Sequence, residues 1–192
     1  MSQNNKELFA YEFLLLLEKN SLESINIKQL TTKSGLSRQS FYNYFLDKND
    51  LIQFIYEKYI IPDFDENNLN INFRDSLLLS FKNMKKYHRF MKEACMKEDQ
   101  NCLKDYIFNH CETFDLQWHQ KLYGKKTMPK ELVFATKYHA NASSSMTLSW
   151  IISDMPIPPA ELATRITEMR GMGMEKMFEK AETKGDPYKF SR

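Results

Sequence analysis

The sequence predicts an all-helical protein. Two observations carry this. Gly 5 and Pro 6 among 192 residues leave few helix breakers, and no stretch alternates Val, Ile or Thr with polar residues as a half-buried strand would. Apolar side chains instead recur at three- and four-residue spacing, as on one face of a helix. The expected layout is an N-terminal three-helix, helix-turn-helix DNA-binding domain over residues 1–61. A C-terminal helical bundle follows over residues 62–192.

The first helix is expected over residues 6–20, with Leu8, Phe9, Phe13, Leu16 and Leu17 on its buried side. Asn26 is placed to cap the second helix. Gly35 ends that helix, because a residue tolerant of positive φ closes it at low cost. Ser37 caps a third helix, which Phe41 and Phe45 anchor to the core while Gln39, Ser40, Tyr42 and Asn43 remain outside. Two short helices joined this way suit insertion of the second into a DNA major groove. Charge supports that reading. Residues 1–62 carry seven basic and seven acidic side chains, yet between Asn26 and Lys48 stand Lys28, Lys33, Arg38 and Lys48 against Asp47 alone.

A fourth helix runs from Asp47 to about Ile60, and the polar segment 62–70 marks the domain boundary. Two further helical stretches follow over 71–98, interrupted near Tyr87 and His88; their many lysines suit a solvated face. Residues 101–123 form a long helix closed by Gly124, residues 130–154 another, and 160–180 the last, after Pro156, Pro158 and Pro159. The tail from Thr183 is polar and expected to fray. Ala140, Ala142, Ser143, Ser144 and Ser145 would let another helix approach closely. With Leu162, Ile166, Met169, Met172 and Met177 they either form an intersubunit four-helix interface in a homodimer or complete the monomer's own bundle.

Other chemistries find little footing. His88, His110, His119 and His139 are scattered without metal-ligand spacing, so no metal is expected. No phosphate loop or nucleophile motif is present, so neither a cofactor nor an enzyme is expected. Cys95, Cys102 and Cys111 suit reduced thiols in a cytoplasm, and the run Phe13–Leu17 is too short to span a membrane. Phe81, Phe90, Met91, Phe108, Cys111, Phe114 and Trp118 either line a small-molecule cavity between helices or fill a core.

The stretch INIKQLTTKSGLSRQSFYNYFLDKNDL, with its Phe-Tyr-x-Tyr-Phe core followed by Lys48 and Leu51, resembles the DNA-binding domain of the TetR/AcrR-type transcription regulators. Thr31 stands where that family usually has Ala. Residues 41–56, with Trp150 and Met155-Pro156-Ile157-Pro158-Pro159, resemble the branch that includes the activator of dihydroxyacetone kinase operons. The resemblance implies a homodimer on double-stranded palindromic DNA. Lys28, Arg38, Gln39, Ser40 and Asn43 would then stand at or near base edges, and Tyr42, Tyr44 and Lys48 on phosphates. It implies an effector site in the middle helices, while the branch resemblance keeps a partner protein as the alternative effector.

Overall fold

The computed structural model describes residues 2–62, 73–124 and 127–182. Among the described residues all regular structure is α-helical, in nine helices. These are α1 (Ser2–Leu17), α2 (Ile27–Ser34), α3 (Arg38–Tyr42), α4 (Lys48–Tyr59), α5 (Phe73–Lys86), α6 (His88–Met96), α7 (Leu103–Tyr123), α8 (Lys130–Ile152) and α9 (Pro159–Glu182). The expected boundary segment lies almost wholly outside the described residues, as does the tail from Thr183.

Local rules place the first four helices. The Asn26 side chain accepts from the Gln29 N–H at 3.0 Å, and the Gln29 side chain accepts from the Asn26 N–H at 2.9 Å, a reciprocal cap. Gly35 closes α2 at φ 68°, in the left-handed region that a side chain would strain. Ser37 accepts from the Ser40 N–H at 3.0 Å and starts α3; Asp47 accepts from Asp50 N–H at 2.9 Å and starts α4. α3 ends at Tyr42, so Phe45 reaches the core from the turn beyond it. It still packs on Phe41, with ring centroids 5.4 Å apart, and on Phe9 at 6.4 Å.

The core is continuous from head to body. Phe9, Phe13, Phe41 and Phe45 of the head join Phe81, Phe90, Ile107, Trp150 and Ile166 of the body in one buried cluster. Phe13 meets Phe90 edge to face at 6.5 Å. Polar struts follow the same seam. Arg89 on α6 donates to the Glu18 carbonyl at 2.7 Å and the Asn20 carbonyl at 2.9 Å, while Glu93 accepts from Leu22 N–H at 2.6 Å. From α4, Asn49 and Gln53 donate to the carbonyls of Gln100 and Asn101, each at 3.0 Å.

In the body, α7 and α8 pack along each other, and α9 lies against α5 and α8. The proline-rich turn after α8 has a specific anchor: the Trp150 indole donates to the Ile157 carbonyl at 2.9 Å. Asp154 and Met155 hold positive φ there, at 72° and 54°. No described helix is long and apolar enough to cross a membrane.

Candidate nucleic-acid interface and ligand cavity

The outer face of α3 carries two i,i+4 pairs. Arg38 Nη2 donates to the Tyr42 hydroxyl at 3.3 Å, and the guanidinium lies 5.6 Å from the ring centre. Gln39 Nε2 donates to Asn43 Oδ1 at 3.1 Å. All four residues are exposed. They are held over a buried Phe41 and retain donors and acceptors for a partner. Ser40 is turned toward Ser37, their hydroxyl oxygens 3.0 Å apart, and Lys28 is exposed on α2. Tyr44 is half-buried against the core.

Lys48 departs from its expected role on phosphate. Its ammonium donates to the carbonyls of Leu22, Glu23 and Ile25, at 3.0, 3.3 and 2.9 Å. An ammonium has three donors, so these bonds use them all. Burial lowers its pKa, and the nearby charge of Lys97 adds to that. Lys48 ties α4 to the loop between α1 and α2 and positions the head from behind.

In the body a cavity of about 110 Å³ lies among α4, α5, α7, α8 and α9. Leu77, Phe81, Met84, Ile107, Phe114 and Ile166 give it an apolar wall. Its polar end holds a buried ion pair, with Arg170 Nη1 2.7 Å from Asp115 Oδ2. Beyond this ion pair, Asp115 Oδ2 has no other hydrogen-bond partner. The Arg170 guanidinium also lies over Phe73, 4.5 Å from the ring centre. Burial raises the Asp115 carboxyl, and the Arg170 charge opposes this. Burial lowers His110 and raises the Cys111 thiol, so neither adds charge to the lining near neutral pH. Tyr56 of α4, fully buried, forms part of the wall and meets Tyr106 edge to face at 6.2 Å.

Residues 72–170 match the family model of the TetR-type transcriptional regulator C-terminal region, just over half the chain. The chain belongs to the TetR family of transcriptional regulators. Among curated relatives, it is 22% identical over 157 residues to the HTH-type dhaKLM operon transcriptional activator DhaS of Lactococcus lactis. That match spans 77% of this chain and 79% of the relative. A solved structure of a dihydroxyacetone kinase operon activator DhaS superposes with a TM-score of 0.67 at 18% identity, covering 90% of this chain and 97% of the other. A TetR-family regulator from Syntrophomonas wolfei gives 0.61 at 16% identity, covering 90% and 95%.

Within this TetR-family body the residues expected around an effector separate. Phe81, Cys111 and Phe114 line the cavity. Phe90 and Met91 are buried in the continuous core, where Phe90 serves the head–body joint. Phe108 lies about 100° round α7 from Ile107 and faces a surface groove beside Leu46 and Asp47. Trp118 stacks on Phe114 at 6.4 Å and 13°, beyond the cavity's end, because the α7 wall spans only Ile107 to Asp115. The small residues of α8 divide as well. Ala140, Ser143 and Ser144 line the cavity, while Ala142 and Ser145 face outward.

The sequence reading missed Asp115 and Arg170. Each carried a signal: a carboxylate in phase with Ile107, Cys111 and Trp118, and a guanidinium in phase with Ile166 and Ala163. A charge within an apolar stripe needs a partner of opposite sign.

Proposed function

We propose that this TetR-family chain is a homodimeric, sequence-specific DNA-binding regulator, with α3 reading a major groove and the body cavity receiving a small effector. The observation that carries the DNA reading is the exposed α3 face. Arg38 and Gln39 are there pre-oriented by Tyr42 and Asn43. Arginine pairs bidentately with guanine and glutamine with adenine. Lys28 and Ser40 stand close enough along the motif to assist, and Tyr42, Tyr44 and Asn43 supply further polar groups toward the backbone or base edges. Residues 1–61 would form the reading unit and 62–192 the regulatory and dimerising unit.

The dimer is supported by apolar surface on the last two helices. Phe134 and Tyr138 are 73% and 63% exposed on α8, and Met169 and Met172 are 65% and 64% exposed on α9. Phe134, Tyr138, Ser145, Ser149 and Ile152 share one outer stripe of α8; Met169 and Met172 share one with Arg165 and Lys176 on α9. A second copy would bury these faces as a four-helix interface and require a palindromic operator. A small ligand is favoured over a partner protein because the cavity is built into the body and α4 contributes Tyr56 to its wall. A shift of α4 there would move the head directly.

The test is retention of genomic DNA fragments by the purified protein at low salt, with light scattering on the same sample. Enrichment of fragments sharing a palindrome, by a dimer, is expected. Absence of any retained DNA would contradict the DNA reading; a monomer at micromolar concentration would contradict the α8–α9 interface.

A further inference from the structure

We propose that each half of the operator carries one A·T pair read by Gln39 and one G·C pair read by Arg38, and that Asn43 sets the choice of the first pair by positioning Gln39. The inference rests on the DNA-reading proposal and names the base edges it involves. Two rows of side chains run side by side on α3. Arg38 and Tyr42 form one; Gln39 and Asn43, rotated about 100° round the helix, form the other. Asn43 is the C-cap residue and keeps helical backbone angles, φ −71° and ψ −19°, so the second row continues past the last residue of the helix. All four side chains are exposed, while Phe41 between them in sequence is buried and holds the helix down.

The open hydrogen-bonding groups of the two rows differ. A side-chain amide offers two N–H donors and a carbonyl acceptor. Gln39 gives one N–H to Asn43 Oδ1 at 3.1 Å, and its carbonyl and second N–H stay open. That acceptor and donor match the major-groove edge of adenine, which presents the N6 amino donor and the N7 acceptor. Guanine presents two acceptors there and would leave the Gln39 carbonyl unsatisfied. Arg38 is the contrasting case. It gives one N–H to the Tyr42 hydroxyl at 3.3 Å and keeps only donors, which suits guanine O6 and N7. Ser40 turns its hydroxyl back to Ser37 at 3.0 Å and leaves the adenine to Gln39. An exposed i,i+4 amide pair adds little to folding. Its effect falls on binding, because a side chain already held in one geometry loses less freedom when it meets its base. Without Asn43 that cost falls only on sequences where the Gln39 contact forms, so discrimination at that pair weakens.

The experiment uses full-length wild type, Gln39→Ala, Asn43→Ala, the double variant and Asn43→Asp. Each is titrated by fluorescence anisotropy at fixed salt against the best-retained genomic fragment and its single-base variants. In Gln39→Ala, preference at one A·T pair of each half-site should fall about tenfold. Asn43→Ala should lower preference at the same pair by a smaller factor, and should add nothing in the Gln39→Ala background. Asn43→Asp keeps an oxygen for the Gln39 N–H. It should hold that preference, while its added negative charge weakens binding to every fragment alike. Melting temperatures should match the wild type, since both side chains are exposed. A further loss from Asn43→Ala in the Gln39→Ala background, or uniform weakening across all fragments, would show that Asn43 contacts DNA by itself and overturn its positioning role. A G·C pair at the position that Gln39→Ala relaxes would overturn the adenine assignment. These outcomes leave DNA binding standing. A wild type that prefers no fragment would overturn the DNA reading and this inference together.

Discussion

On α3, Arg38 and Gln39 stand in water beside Tyr42 and Asn43, held by i,i+4 contacts of 3.3 and 3.1 Å. Between α7 and α9, Arg170 and Asp115 are paired out of water, at 7% and 3% exposure. The same guanidinium chemistry therefore does different work in the two regions. In the head, the hydrophobic anchors carry stability and the polar face is left for a partner. In the body, the polar groups are part of the packing, and removing one leaves a buried charge. Substitutions on this proposed DNA-reading face should change binding without changing melting. Substitutions at the buried pair should change melting first.

The largest effect is expected at the ion pair. Asp115→Ala leaves Arg170 buried and unpaired and should cost about 3–5 kcal/mol in denaturant unfolding. The double variant Asp115→Leu with Arg170→Met should recover to wild-type stability or exceed it, since an apolar pair of similar volume replaces the charges. A single variant as stable as the wild type would show that water reaches the pair.

Lys48 sharpens the comparison, because it is a cation of the head that behaves like those of the body. Lys48→Met removes charge-assisted bonds to Leu22, Glu23 and Ile25 and should destabilise by about 2–3 kcal/mol. The slope of DNA affinity against salt should stay near the wild-type value in the folded variant. A slope reduced by about one phosphate contact would return Lys48 to the backbone-contact role expected from the sequence.

That residue also shows what was legible in the sequence. Asn26, Gly35, Ser37 and Asp47 are local signals, decided by the chain within three or four residues, and each cap formed where its residue type required. The helix order followed from apolar spacing for the same reason. The role of Lys48 depends on carbonyls 23 to 26 residues away, and nothing in its neighbours reveals them. The cavity was only half legible. Aromatic residues of α7 recur at helical spacing whether they line a space or fill one. Phe114 and Trp118, one turn apart, fall on opposite sides of that distinction. Asp115 and Arg170 were readable as misplaced charges, but their pairing joins helices far apart in sequence.

A smaller effect is expected with pH. Burial, then the charges of Arg170 and His139, lower His119 to about 4 from its ordinary 6.5, and its Nδ1 lies 2.8 Å from the Thr136 hydroxyl. The unfolded chain binds the proton more readily between these values, so stability should fall as pH drops from 6.5 toward 4. His119→Gln should flatten the melting temperature over that range relative to the wild type. Parallel wild-type and variant curves would show that His119 titrates normally in the folded protein.

The central claim is that the α3 face reads DNA while contributing little to the fold. Its most direct test compares wild type and Arg38→Ala on the best-retained fragment and on its single-base variants, by fluorescence anisotropy at fixed salt. Melting temperature is measured in parallel. The account predicts a loss of about 1–3 kcal/mol in binding, relaxed preference at one base pair of each half-site, and unchanged melting. Wild-type affinity and base preference in Arg38→Ala would contradict it.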